Sequence, residues 1–249
     1  MRGAGSLVVV GTGYQPATHT TPEALFHIQR ADKLFYLVDP VTALWLETVN
    51  SSAESLEDSY AAGKDRRESY DEMVLRVLEP VRRNLNVCMA LYGHPGVFVD
   101  PSHEAVRRAR SEGFEATMLP GISAEDCLFA DLGIDPASGC QSFGATDFLL
   151  RKRAIDTSSP LVLWQIGAIG VPTHKRKQEN WSPLGLNVLS EVLEQRYGPA
   201  HEVVIYEAGR FSLGRPVIQS VPLACLSKAA VTTASTLYVP PIASNGVRR

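Results

Sequence analysis

The chain has 249 residues, enough for one large domain or two lobes of ordinary size. Hydrophobic residues make up 45% and charged residues 20%, with a formal net charge of −3, which are globular values. No basic stripe with interleaved aromatics points to a nucleic acid partner, and no apolar run reaches the length of a membrane span or a signal-peptide core. The default is therefore a cytoplasmic protein. The four cysteines (Cys88, Cys127, Cys140, Cys225) are widely spaced, without a CxxC pair or a histidine cluster nearby. They read as buried, reduced thiols rather than disulfides or a metal site.

Residues 6–11 form the first expected strand, followed by Gly11, Thr12 and Gly13. A lone G-x-G with no third glycine and no helix starting at once does not support a dinucleotide fingerprint. Thr20 or Thr21 with Pro22 starts a helix through Arg30, and 33–38 is the second strand. Asp39 and Pro40 open another helix, whose Leu44 and Trp45 read as core. A turn at Gly63, Lys64 and Asp65 precedes a helix over about 67–83. Its buried stripe is Met73, Val74, Val77, Leu78 and Val81. Arg66 and Tyr70 lie four residues apart and can share a helix face, and Tyr60 sits just before the turn. On spacing alone the favoured reading is an arginine–tyrosine packing pair on a solvated helix rather than a functional group.

Residues 90–136 organise the rest: ALYGHPGVFVDPSHEAVRRARSEGFEATMLPGISAEDCLFADLGIDP. A short apolar strand over 87–91 runs into Gly93, Pro95 and Gly96. Asp100 stands before Pro101 as an expected N-cap, Val106 and Ala109 supply the apolar face of the helix, and Gly113 stops it. A second strand over 116–119 breaks at Pro120 and Gly121, and Ser123 caps the next helix, with Glu125 and Asp126 in its first turn. Two glycine-rich loops at successive strand ends make the carboxyl edge of a parallel sheet, where such sheets bind ligands.

Residues 140–153 read as irregular and 160–166 as a buried strand, which puts a lobe border here: 1–140 and 141–249. The stretch 171–183, with Lys175, Arg176 and Lys177, reads as a solvated loop. A helix over 184–197 closes at Gly198 and Pro199. Strands over 203–206, 217–222 and 236–239 are expected to pair antiparallel, before a frayed tail.

The stretches YGHPGVF, PSH, SEGF, MLPGISAEDCLFADLGIDP, LVLWQIG and STLYVPP resemble the borosin peptide α-N-methyltransferases, which are class III, tetrapyrrole-methylase-like enzymes. The similarity runs from GSLVVVGTG to STLYVPP. It implies an α/β, two-lobed tetrapyrrole-methylase-like fold, with a mostly parallel sheet in the N-terminal lobe and a mixed sheet in the C-terminal lobe, which completes the cofactor site. It implies S-adenosyl-L-methionine as cofactor, with S-adenosyl-L-homocysteine as product, no metal, and a homodimer. The family's R-x-x-x-Y pair with a preceding tyrosine falls on Arg66, Tyr70 and Tyr60, which makes them the implied catalytic group. Cofactor contacts carry over to Tyr92, His94, Val97, Ser123, Ala124, Gln165, Ala208, Ser235 and Thr236, most of them through backbone groups.

An amide nitrogen is a poor nucleophile because its lone pair is delocalised into the carbonyl. Methylating it requires a base, and an arginine beside a tyrosine favours the phenolate. Tyr70 is thus the expected proton acceptor and Arg66 its activator, with Tyr60 orienting the amide. Tetrapyrrole methylases usually carry a glycine-proline-glycine-aspartate loop after the first strand and G-D-P after the third. The corresponding places here read GTGYQP and YGHPG, which argues against a porphyrinoid substrate. Fused borosins continue into a core peptide, whereas this sequence stops soon after VPP, so the resemblance implies a separate precursor peptide as partner. The alternatives are a small-molecule tetrapyrrole-type methyltransferase and a non-catalytic peptide- or cofactor-binding module.

Overall fold

The apolar run near the N-terminus becomes β1 (Ser6–Gly11), and Thr21 then caps α1 (Pro22–Arg30) by accepting a hydrogen bond from the Ala24 amide. After β2 (Lys33–Leu37), the Asp39 carboxylate accepts from the Val41 and Thr42 amides to start α2 (Pro40–Val49). In both helices proline holds the first position, where a missing N–H costs nothing. β3 (Glu54–Ser55), α3 (Arg66–Arg82), β4 (Asn86–Leu91), α4 (Asp100–Ser111) and β5 (Glu115–Met118) follow. These strands form one sheet in the order β3-β2-β4-β1-β5, and every pairing is parallel.

Side chains alternate across this sheet, and both faces are covered. Leu7, Val9, Val87, Met89 and Leu91 meet the α3 stripe of Met73, Val74, Val77, Leu78 and Val81, together with Ala105, Val106 and Ala109 of α4. Val10, Leu34, Tyr36, Cys88 and Ala90 meet Ala24 and Ile28 of α1 and Leu46 of α2. Burial on two faces explains why these strands read as continuous apolar runs rather than alternating ones. Each side chain in the α3 stripe contributes roughly 1.5–3 kcal/mol of burial free energy.

α5 (Ala124–Leu132) leads to a second sheet. Its elements are β6 (Gln141–Gly144), α6 (Ala145–Leu150), β7 (Leu161–Trp164), α7 (Pro183–Tyr197), β8 (Glu202–Glu207), β9 (Val217–Pro222), α8 (Leu223–Leu226) and β10 (Thr236–Val239). The order is β6-β7-β10-β8-β9, with β6 and β7 parallel and the other pairs antiparallel. Leu186, Leu189, Leu193 and Tyr197 of α7 pack on Leu161, Leu163, Ile205 and Leu237. The expected α/β class, with a parallel first sheet and a mixed second one, is the architecture found.

The molecule is known here as a computed structural model that describes residues 5–61, 63–172, 182–210 and 214–242. It divides into two compact units, Met1–Cys127 with Gly209–Arg215, and Leu128–Ala208 with Pro216–Arg249. No helix among the described residues is long and apolar enough to cross a membrane.

Four local expectations are corrected. Leu44 is not core but 65% exposed, because the helical turn that sends Thr42 and Leu46 inward places position 44 on the opposite side. Asp100 is not an N-cap. It is the first residue of α4, with Val99 before it and no side-chain cap, so its charge favours the first turn through the helix dipole instead. Residues 140–153 are not irregular, since β6 and α6 lie there; the pairing of β6 with β7 is a tertiary event that four residues of sequence do not announce. All four cysteines are free, but only Cys88 is buried, and Cys225 is exposed. The basic run at 175–177 and the tail beyond 242 lie outside the described residues.

Candidate active site

All strands of the first sheet run the same way, so their carboxyl ends share one edge, where ligands bind in such sheets. Three glycine loops meet there. A Cβ on Gly11 would lie 2.3 Å from the Gly93 carbonyl oxygen and 2.9 Å from Cδ of Pro95. One on Gly121 would lie 3.3 Å from Cα of Gly11. The loops after β1 and β4 are also tied by hydrogen bonds, from the Thr12 amide to the Leu91 carbonyl (2.8 Å) and from the Gly93 amide to the Gly13 carbonyl (2.9 Å). The Gly93 backbone and the Pro95 ring thus pack directly on the Gly11 and Gly121 backbone, and glycine at these positions is what lets the loops close on one another at the ligand edge.

The loop after β4 is held from below. The Ser102 hydroxyl reaches the Pro95 carbonyl (2.5 Å) and the Val99 carbonyl (2.6 Å), and Nε2 of His103 lies 2.8 Å from the Gly96 carbonyl oxygen. Nδ1 of His94 accepts from the Gly96 amide at 3.0 Å, which ties the ring to its own loop. Phe98 takes a left-handed conformation (φ +57°), a strain of about 1–3 kcal/mol that such residues carry mainly at functional sites. Tyr92 and Val97 are exposed on this edge. Ser123 is buried: its hydroxyl donates to the Asp126 carboxylate (2.7 Å) and accepts from the Asp126 amide (3.2 Å), a reciprocal cap on α5. That hydroxyl is occupied structurally, as are the Ser123 amide, which donates to the Asp126 carboxylate (2.7 Å), and its carbonyl, which accepts from the Cys127 amide (3.2 Å). Ala124, the first residue of α5, is half-buried.

The connection from β3 to β4 must return across the sheet, which puts the N-terminus of α3 at the same edge. Tyr60 follows the 3₁₀ turn Glu57–Ser59, and Asp65 caps α3 by accepting from the Arg67 amide at 2.7 Å. Arg66 is therefore the first helical residue, a cation at the positive end of the helix dipole, where local energetics disfavour it. Tyr70 stands one turn on, and its ring meets that of Tyr60 edge-on, with centroids 6.4 Å apart at 75°. The Tyr60 hydroxyl donates to Tyr70, and both hydroxyls feel Arg66. The structure thus brings Tyr60, Arg66 and Tyr70 together.

The electrostatic balance differs from the expectation. Burial pushes the Tyr70 phenol up, and the Arg66 charge, then donation from Tyr60, pull it back only in part, with Asp100 adding to the rise. Tyr60 is pushed up by burial and then by Tyr70. The two are therefore unequal: Tyr70 receives the stabilising hydrogen bond and Tyr60 gives it. Burial also raises Tyr92, while Arg210 and Arg66 lower it.

In the second unit, β10 runs against β7 and β8, so the ends of β7 and β8 and the start of β10 share one edge. Gln165, Ala208 and the pair Ser235 and Thr236 lie at that edge. Gln165 is exposed and left-handed (φ 57°, ψ 43°). The turn after it leans on residues 232–235: the Ile166 amide donates to the Ser235 carbonyl (3.2 Å), and a Cβ on Gly167 would lie 2.2 Å from the Thr232 carbonyl oxygen. Ser235 and Thr236 are buried. The Ser235 hydroxyl donates to the Glu207 carboxylate (2.5 Å), which also accepts from the Thr232 hydroxyl (2.6 Å). Ser235 is thus a brace within the fold and not a side chain offered to a ligand.

Sequence reasoning missed Tyr14, Arg210 and Glu207. The departure GTGYQP marked the loop of Tyr14 without marking the residue. Nothing local distinguished Arg210, which joins the first unit only through the returning segment Gly209–Arg215. Among the described residues no group of three or more His, Cys, Asp or Glu side chains could hold a metal.

Residues 6–214 match the model of the tetrapyrrole (corrin/porphyrin) methylases. The chain is 45% identical over 244 residues to a methyltransferase/ribosomally synthesized cyclic peptide gymnopeptides precursor of Gymnopus fusipes, a match covering 96% of this chain and 58% of that protein. It is 41% identical over 243 residues to a methyltransferase/ribosomally synthesized type III borosin cyclic peptide precursor of Anomoporia bombycina, covering 95% of this chain and 28% of that one. In fold it is similar to the crystal structure of uroporphyrin-III-C-methyltransferase from Thermus thermophilus, with a TM-score of 0.66 at 17% identity over 96% of this chain and 93% of that one. The chain spans little more than half the length of the first of these relatives, and less of the second.

Proposed function

The chain belongs to the tetrapyrrole (corrin/porphyrin) methylase family, and from that premise we propose that it is an S-adenosylmethionine-dependent methyltransferase acting on the backbone amides of a ribosomally made precursor peptide. The close-packed loops of Gly11, Gly93 and Gly121 support a nucleoside-bearing cofactor at this edge, because their main chains stand together at the carboxyl ends of parallel strands. On the first unit we assign contacts to Tyr92, His94, Val97, Ser123 and Ala124, and on the second to Gln165, Ala208, Ser235 and Thr236. Ser123 and Ser235 act as braces, since their hydroxyls are engaged. Bound S-adenosylmethionine would supply an electrophilic methyl group on a sulfonium, leaving S-adenosylhomocysteine as product.

The reading rests on the polarity of the tyrosine pair beside Arg66. The Arg66 charge is the leading pull on the Tyr70 phenol and only a minor one on Tyr60, which makes Tyr70 the better-placed base of the two. The Tyr70 phenolate takes the amide proton and becomes a neutral phenol, Arg66 holds the negative charge first on that phenolate and then on the amide oxygen, and the nitrogen's electron pair would form the new N–C bond as the methyl's bond to sulfur breaks. Burial keeps Tyr70 mostly protonated in the free chain, so the base is strong but sparsely populated near neutrality. We further propose that the peptide is taken as a separate molecule. The protein is proposed to work as a cytoplasmic homodimer whose partner chain helps cover the region around Tyr60 and Tyr70. Incubation with S-adenosylmethionine and short synthetic apolar peptides should give products in 14-dalton steps by mass spectrometry. No such step with any peptide, from protein that binds S-adenosylhomocysteine, would leave only a cofactor-binding fold. Light scattering that finds an active monomer would remove the dimer.

A further inference from the structure

Tyr14 sits at the end of the first glycine loop, in the place where the chain departs from the usual motif of its family. Its position is set rigidly. Gly13, at φ +65°, would bring a Cβ within 2.2 Å of Cβ of His19, and the Tyr14 amide donates to Nδ1 of that histidine at 3.3 Å. Gly13 is also bridged to Gly93. The Tyr14 ring stands edge-on to Tyr92, centroids 6.4 Å apart at 76°. Its hydroxyl lies over the main chain of the next loop, where a Cβ on Gly93 would approach it to 3.3 Å. Tyr92 in turn feels Tyr70 and Arg66, so Tyr14 continues the proposed catalytic group along the same edge.

Burial pushes the Tyr14 phenol up, so it keeps its proton at physiological pH and is available as a donor. The residue is half-buried, and its hydroxyl stands at the edge of the sheet beside Gly93. A phenol at such an edge completes its hydrogen bonding with water or with a ligand that displaces it. An extended peptide offers one carbonyl acceptor per residue, and a phenol anchored on a rigid loop suits such a neutral acceptor.

We infer that Tyr14 is a further substrate-binding residue, whose hydroxyl donates to a backbone carbonyl oxygen of the bound peptide and whose ring, with Tyr92, walls the cleft beside the amide to be methylated. This rests on the backbone-methylation reading. The test compares wild type with Tyr14→Phe, which removes only the hydroxyl and keeps the edge-on contact. Peptide KM and kcat are measured with the synthetic peptide that wild type methylates best, S-adenosylhomocysteine affinity by calorimetry, and the melting temperature alongside. Loss of one neutral hydrogen bond should raise KM roughly 5-fold, with kcat, nucleoside affinity and melting temperature unchanged. An unchanged KM in Tyr14→Phe, with wild type active, overturns the role of Tyr14 alone. Weakened nucleoside binding overturns it differently, by placing the hydroxyl on the cofactor. Wild-type protein that binds the nucleoside but neither binds nor methylates peptide overturns both this inference and the reading beneath it.

Discussion

Replacing Tyr70 by Phe separates a base from a packing residue. The ring stays, and with it the edge-on contact to Tyr60 at 6.4 Å. What leaves is the oxygen that accepts from Tyr60 and feels Arg66. The structural loss is one neutral hydrogen bond, about 1 kcal/mol, against a total stability of about 5–15 kcal/mol. The melting point should therefore fall by only about 2–4 °C, and the folded fraction under assay conditions is unaffected. The chemical loss is of another size. Removing a positioned acid–base group costs roughly 10²-fold or more in turnover, about 2.7 kcal/mol or more of barrier. The assay is the rate of 14-dalton addition, with S-adenosylhomocysteine binding as control. Its pH profile adds an independent reading. The charged and titratable groups around Tyr70 are Arg66, Tyr60, Tyr92 and Asp100, and burial raises it above the ordinary phenol value of 10.0. The reactive phenolate then grows with pH, so the wild-type rate should climb roughly tenfold per unit through the neutral and mildly alkaline range, without a plateau below about pH 10. Tyr70→Phe should lose that slope. Near-normal turnover by the variant, or a flat wild-type profile, would leave the mechanism without its base.

Gly11→Ala should displace the loop after β4 and weaken nucleoside binding, because a Cβ on Gly11 would sit 2.3 Å from the Gly93 carbonyl oxygen, whereas Gly113→Ala, at the opposite end of β5, should cost stability through its left-handed φ of +87° and leave binding intact; calorimetry with melting temperatures on both variants checks this. Glu207→Ala frees the Thr232 and Ser235 hydroxyls and should speed amide exchange over 232–236, whereas Glu207→Gln, which keeps an acceptor, should largely restore protection. Equal exchange in all three proteins would remove the bracing role. Arg66→Lys keeps the charge but loses the planar fork, so turnover should fall, and the double variant with Tyr70→Phe should lose far less than the product of the two singles.

The sequence by itself determined the local elements and the chemistry they carry. Pro22 and Pro40 after Thr21 and Asp39 marked helix starts, because fixed φ and a side-chain acceptor both act within a turn. The spacing of Met73 to Val81 marked the buried stripe of α3, and glycines at strand ends marked the ligand edge. Arg66 and Tyr70, four apart, were bound to share a helix face, although their catalytic reading came from family likeness and not from spacing. What only the tertiary structure decided depends on residues distant in the chain. Leu44 faces out because its neighbours at 42 and 46 find the core first. β6 exists because β7 pairs with it, and a four-residue strand has little preference of its own. Tyr14 reaches Tyr92 across 78 positions of sequence because two glycine loops touch backbone to backbone, and Ser235 is spent on Glu207 because β8 and β10 are neighbours. The balance at Tyr70 was equally out of reach of the sequence: the pull of Arg66 follows from spacing, but burial, which outweighs it, is a property of the packed site.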